Sequence, residues 1–229
     1  MEYIIDVVPI RKKINMDEIN IIKEKIKNNV IINNSEISKL LDYYIETALI
    51  IVEKDLNEDL TNNPLTNKCD LFQYIIGKLM EKDNIVVFPK ESQNVFYPTC
   101  IGHSFLIVNI QGKCFIVDPS FRQFLTKESC DIKNFNTIND MVVKAPAPGF
   151  FMIRSEEGKR IAKMLIQNGY IMLNEEIAKI YGDSFYYTKT GYLDYSDIPA
   201  DIYLNMLLKE NTKYADSDDT FNEMYKIRI

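Results

Sequence analysis

"GHSFLIVNIQGKCFIVDPSF" occupies residues 102–121 and carries His103, the single histidine of the 229-residue chain. Phe105 to Ile110 is a β-rich apolar run, Gln111 and Gly112 have turn chemistry, and Cys114 to Val117 is a second run. The pattern predicts a hairpin. A hairpin lays the start of its first strand beside the end of its second. His103, heading the first run, and Asp118, closing the second, therefore become neighbours although 15 residues separate them. A histidine held by a carboxylate is half of an acid–base device, and it needs a nucleophile to serve.

The nucleophile comes from "NEDLTNNPLTNKCDLFQYIIGKLMEK", residues 57–82. The first half is polar and contains Pro64, so it predicts a loop; from Cys69 on, Leu71, Phe72, Ile75, Ile76 and Leu79 recur at helical spacing. Cys69 thus falls at or just inside a helix N-terminus, where the helix dipole and unbonded amides favour a thiolate. His103 would pair with that thiolate and later protonate a leaving group, while Asp118 holds the imidazole tautomer. The backbone amide of Cys69 can supply one oxyanion donor. A second is expected from a side-chain amide just upstream, Asn63 in preference to Asn67.

Around this segment the periodicities predict helices over Met16 to Asn28 and Ser35 to Asp55, then Glu156 to Gln167 and Glu175 to Tyr181. Strands are expected at residues 2–10, in "MVVKAPAPGFFMI" (141–153, broken by Pro146 and Pro148) and in "GYIMLN" (169–174). The acidic, polar tail has no assigned element. Helices first and a mostly antiparallel sheet afterwards make an α+β pattern, not the strict alternation of a doubly wound fold. One domain over residues 1–229 is expected, with a helical part to about 82 and a sheet part from about 85.

With 46% apolar and 26% charged residues the composition is that of a soluble globular domain. A net charge of −6 argues against a duplex nucleic-acid partner, and no apolar run is long enough to span a membrane. "MEYIIDVVPIRKK" puts its basic cluster after the apolar part, the reverse of a signal peptide, and four cysteines without a CxxC pair read as reduced thiols. A cytoplasmic location is the expectation. One histidine makes a zinc site unfavourable, and neither GxGxxG nor GxxxxGK[ST] occurs, so no metal and no cofactor are expected. Cys114, inside an apolar strand, has the inert reading of most buried cysteines, and Cys100 and Cys130 have no acid–base partner in sequence. Glu156–Glu157 and Glu175–Glu176 suit helix first turns, and the cluster Tyr186, Tyr187, Tyr192 and Tyr195 is read as a mixture of core and surface. A lone cysteine, a lone histidine or an aspartate before proline each has an ordinary structural reading. Their order along the chain is what points to a triad.

Cysteine opening a helix, histidine opening a strand and aspartate closing the next resemble the papain-like cysteine protease superfamily in its broad sense. That group includes transglutaminases, arylamine N-acetyltransferases, toxin deamidases and YopT-type proteases. The spacing of 15 and the "FIVDPSFRQF" run are most similar to the toxin and effector branches, and also to the cysteine protease-like transacylase of closthioamide biosynthesis. The resemblance covers roughly residues 60–125. "NKCDLF" lacks the Arg-Gly-Gly run of arylamine N-acetyltransferases and the aromatic residue that follows the cysteine in papain proteases and transglutaminases, which sets the chain apart from those branches. The resemblance implies a papain-like or transglutaminase-like fold and a thioester acyl-enzyme on Cys69. The expected function is acyl transfer to an amine, forming an amide in bacterial natural-product biosynthesis, with the donor a thioester on a carrier protein. An effector-type glutamine deamidase or protease with the same triad is the alternative. The absence of a long polar leader inclines the reading toward the biosynthetic enzyme.

Overall fold

The computed structural model describes residues 11–57, 60, 65, 68–96, 99–125, 155–185, 204, 205 and 208. Three helices come first. Helix α1, Met16–Lys27, begins at Asn15, whose side chain accepts from the amides of Asp17 and Glu18. Helix α2, Asn34–Leu56, begins with a capping box in which Asn33 and Glu36 satisfy each other's backbone amides. Helix α3 is Cys69–Lys82.

A four-stranded antiparallel sheet follows, in the order β1 (Val86–Phe96), β2 (Thr99–Ile110), β3 (Lys113–Val117), β4 (Tyr170–Met172). The β2–β3 hairpin turns at Gln111 and Gly112, which have φ of 51° and 85°. Two positive φ values in a two-residue loop match the twist of the flanking strands, and glycine accepts the second without penalty. The Gln111 side chain pins this turn to the α1–α2 connection, accepting from Ile32 N (2.9 Å) and donating to Val30 O (2.8 Å). A 3-10 helix, Pro119–Leu125, leads away from β3, and helices α4 (Glu156–Asn168) and α5 (Glu175–Phe185) flank β4.

The sheet buries both faces, which is why "FLIVNI" and "CFIV" are nearly continuous apolar runs rather than alternating ones. Leu106, Val108, Ile110, Phe115 and Val117 pack with α1–α3 into one core. Phe105, Ile107, Ile116 and Phe121 pack with α4 and α5 into a second. The chain is thus α+β, with the N-terminal helices packed on an antiparallel sheet, as the sequence predicts. Among the described residues no helix is long and apolar enough to cross a membrane.

Two expectations change. Residues 86–96 form a strand that the sequence reading left unassigned: "PKESQN" is polar and carries Pro89, a residue suited to β1 because β1 lies at the end of the strand order. Strand β2 also begins at Thr99, so His103 sits inside it, paired with Ser92, and does not open it. Pairing with β1 extends the strand past the apolar run. The strands expected at 2–10 and 141–153 lie outside the described residues.

Candidate active site

Cys69 is the first residue of α3 and is 8% exposed. The N-cap of α3 is Lys68, which gives no side-chain acceptor to the first turn, whereas α1, α2, α4 and α5 start at Asn15, Asn33, Ser155 and Asn174, each bonding its helix's first-turn amides. The positive end of α3 therefore falls on Cys69 rather than on a capping oxygen.

His103 and Asp118 are both buried, at 1% exposure each. The last β2–β3 pair is Leu106 with Val117, so β3 ends three residues short of His103 and Asp118 turns in beside it. The contact is short, with His103 Nε2 2.7 Å from Asp118 Oδ2. Cys69 lies near enough to the imidazole to act on its protonation. Burial opposes a charged ring. Asp118, through charge and hydrogen bond, and Cys69 after it outweigh burial and push His103 up to about 9. At neutral pH the imidazole is therefore doubly protonated.

Further contacts fix the spacing of these groups. Asp70, next to Cys69, accepts a hydrogen bond from Ser104, next to His103, and Asp70 Oδ1 also lies 3.9 Å from Cys69 Sγ. One turn on, the buried Gln73 amide donates to Lys90 O (2.8 Å) and Phe105 O (2.9 Å), tying α3 to both β1 and β2. Asp118 N donates to Gly169 O (2.8 Å) at the α4–β4 turn. The Asp118 carboxylate accepts from Ser120 Oγ at 2.9 Å on Oδ1 and from the Tyr181 hydroxyl at 2.7 Å on Oδ2. Arg122, fully buried, donates from Nη2 to Leu60 O at 3.0 Å and so holds the segment leading to Cys69; burial, reinforced by the charge of Arg11, pushes its guanidinium down to about 10.

Cys69, His103 and Asp118 are thus brought together. Asn63 and Asn67 lie outside the described residues, as do Cys130 and the tyrosines at 186, 187, 192 and 195. Cys114 is half-buried on β3 against the second core, and burial pushes its thiol up. Four residues that the sequence reading missed belong to the site: Gln123, whose Nε2 lies 3.4 Å from His103 Nδ1, with Ser104, Ser120 and Tyr181. Gln123 had a local signal. Pro119 suits the start of a helical turn, and one such turn after Asp118 returns the chain toward His103. Tyr181 had none. Among the described residues no three of His, Cys, Asp and Glu converge as a metal site. The chain matches no family model, no curated protein and no solved structure.

Proposed function

We propose that the protein is a cysteine-dependent acyltransferase that forms a thioester acyl-enzyme on Cys69 and passes the acyl group to an amine. The observation that carries this reading is the helix-start Cys69 near a buried His103 whose Nε2 is 2.7 Å from Asp118 Oδ2. A helix opening on cysteine, packed against an antiparallel sheet that carries histidine and aspartate, is also what supports a papain-like fold.

In the first half-reaction Cys69 Sγ attacks the carbonyl carbon of a thioester donor, and the carbonyl oxygen takes up the negative charge. Collapse breaks the bond to the donor's sulfur, which leaves as a thiol with the proton from His103 Nδ1. In the second half-reaction a neutral amine attacks the thioester, Nδ1 receives its proton, and the Cys69 thiolate departs, leaving an amide. Asp118 keeps Nε2–H bonded throughout, which fixes Nδ1 as the nitrogen that exchanges protons. The side-chain amide of Gln123, beside Nδ1, is proposed as a donor to the oxyanion alongside the upstream asparagines Asn63 and Asn67.

An amine acceptor is favoured over water by Asp70. Its exposed carboxylate lies 3.9 Å from Sγ and would hold the protonated end of a diamine while the other, neutral amino group attacks the acyl-enzyme. A carrier-protein thioester fits the donor role, since a thiol leaving group asks little of the acid. The test is a partition experiment. Cys69 is loaded with an acyl thioester and its discharge followed by intact-protein mass spectrometry with and without a diamine. Faster discharge with amide product supports the transferase. Discharge at an unchanged rate, with ammonia or cleaved peptide from a protein substrate, moves the assignment to a deamidase or protease.

A further inference from the structure

Tyr181 stands 63 residues beyond Asp118 and reaches it from α5. Its ring is fully buried, edge-on to Phe105 at 4.9 Å between centroids and tilted against Phe121 at 6.4 Å. Phenylalanine would fill this apolar site equally well. The hydroxyl is the part that packing does not explain. It donates to Asp118 Oδ2, the same oxygen that meets His103 Nε2, while Oδ1 is occupied by Ser120.

We infer that Tyr181 is a positioning residue of the Cys69–His103–Asp118 site, acting on His103 through the carboxylate oxygen the two share. The inference rests on the reading of Cys69 as the acylated nucleophile. An O–H dipole at Oδ2 draws on that oxygen's charge, so it loosens the hold of Asp118 on the imidazolium while locking the carboxylate rotamer. Removing the hydroxyl leaves Oδ2 to His103 alone. The imidazolium is then held more tightly, but the carboxylate that aims it is less constrained. The titratable and charged groups around the ring are Asp118 after β3, Cys69 and Asp70 on α3, and Tyr181 on α5, with Lys90 on β1 two residues from the strand partner of His103.

His103 is the only histidine in the chain, so its titration needs no assignment. The full chain is labelled with nitrogen-15 histidine and the imidazole resonances are followed against pH in the wild type, Tyr181→Phe and Ser120→Ala. Acyl transfer from a thioester is measured in parallel. Tyr181→Phe should raise the His103 midpoint by about half a pH unit or more, through loss of a hydrogen bond to a charged acceptor, and should slow acyl transfer roughly tenfold. Ser120→Ala, which acts on the other oxygen, should move the midpoint less. If Tyr181→Phe does not fold, 3-fluorotyrosine at position 181 replaces it; its stronger donor should shift the midpoint down. A midpoint unchanged or moved against these directions, with only a lowered melting temperature, overturns the inference and leaves Tyr181 a core residue. A wild type whose Cys69 is never acylated refutes the proposed function itself, and the role of Tyr181 with it, whatever the titration does.

Discussion

Gln123→Ala is the substitution that separates oxyanion stabilisation from upkeep of the thiolate. Its amide nitrogen lies 3.4 Å from His103 Nδ1, the atom that exchanges protons in the proposed reaction. When Sγ attacks, the carbonyl oxygen of the donor gains a full charge, and one preorganised donor to such an oxygen contributes about 3–4 kcal/mol, or roughly a hundred- to thousandfold in rate. The kcat/KM for acyl transfer should fall by that factor. The affinity of an acyl aldehyde should fall with it, because the aldehyde adds Cys69 to make the same tetrahedral oxygen. Alkylation of Cys69 by iodoacetamide is different: iodide is displaced from a saturated carbon and no oxyanion forms. Its rate should stay within about threefold of wild type, set by the thiolate and His103 alone. The ratio of the two losses is the measurement. If alkylation falls in parallel with acyl transfer, Gln123 supports His103 instead of the oxyanion; if acyl transfer falls less than about fivefold, it does neither and the assignment fails.

Cys69→Ala should abolish acyl-enzyme formation and His103→Ala nearly so, while Asp118→Asn, which removes an orienting charge and no reacting atom, should be the mildest; full turnover by Cys69→Ala would end the mechanism. His103 rises from an ordinary 6.5 to about 9 on folding. A group with a raised folded pKa contributes stability that is complete below its unfolded value and lost as pH rises through the folded one. Urea midpoints should therefore decline between about pH 6.5 and 9 in the wild type and decline less in His103→Gln, and equal slopes would contradict the ion pair. Gly169 has φ 77°, and a Cβ there would lie 2.9 Å from Ile45 Cδ1 and 3.3 Å from Pro119 Cβ. Gly169→Ala should cost about 1–2 kcal/mol in denaturant melts and lower acyl transfer as well, since Gly169 O holds the Asp118 amide. A stability loss without any change in rate would show that the turn does not steer Asp118.

What the sequence makes legible is what local periodicity and turn chemistry control. The hairpin follows from two apolar runs around Gln111–Gly112, and the start of α3 from the change at Cys69 between a polar loop and a helical pattern. Both depend on residues within one element, and they place Cys69 at a helix start and His103 and Asp118 near one end of a hairpin. Strand β1 is different in kind. "PKESQN" has the composition of a loop and becomes a strand because β2 offers it a ladder, a contact made by pairing and not by its own pattern. The same pairing moves His103 from the head of a strand to its interior. Ser104 carries no sign in the sequence that it will meet Asp70, nor Tyr181 that it will meet Asp118. Those contacts exist only after α3 and α5 have docked on opposite faces of the sheet.

That arrangement divides the site between two cores. Leu71, Phe72, Ile75 and Ile76 seat α3 in the first core and so place Cys69. Phe105, Phe121 and Tyr181 belong to the second, and Tyr181 reaches Asp118 from it. His103 sits on β2, the strand between them, with Cys69 near it from α3 and Asp118, itself held by Tyr181, hydrogen-bonded to it. The cross-ties run through the same strand, Asp70 to Ser104 and Gln73 to Phe105. Neither layer alone can set the sulfur-to-imidazole geometry, because each controls only one partner. A buried His103 with its charge favoured needs Asp118 beside it to offset desolvation, and Gly169, Ser120 and Tyr181 each hydrogen-bond Asp118. The placement of Cys69 beside His103 thus depends on both cores.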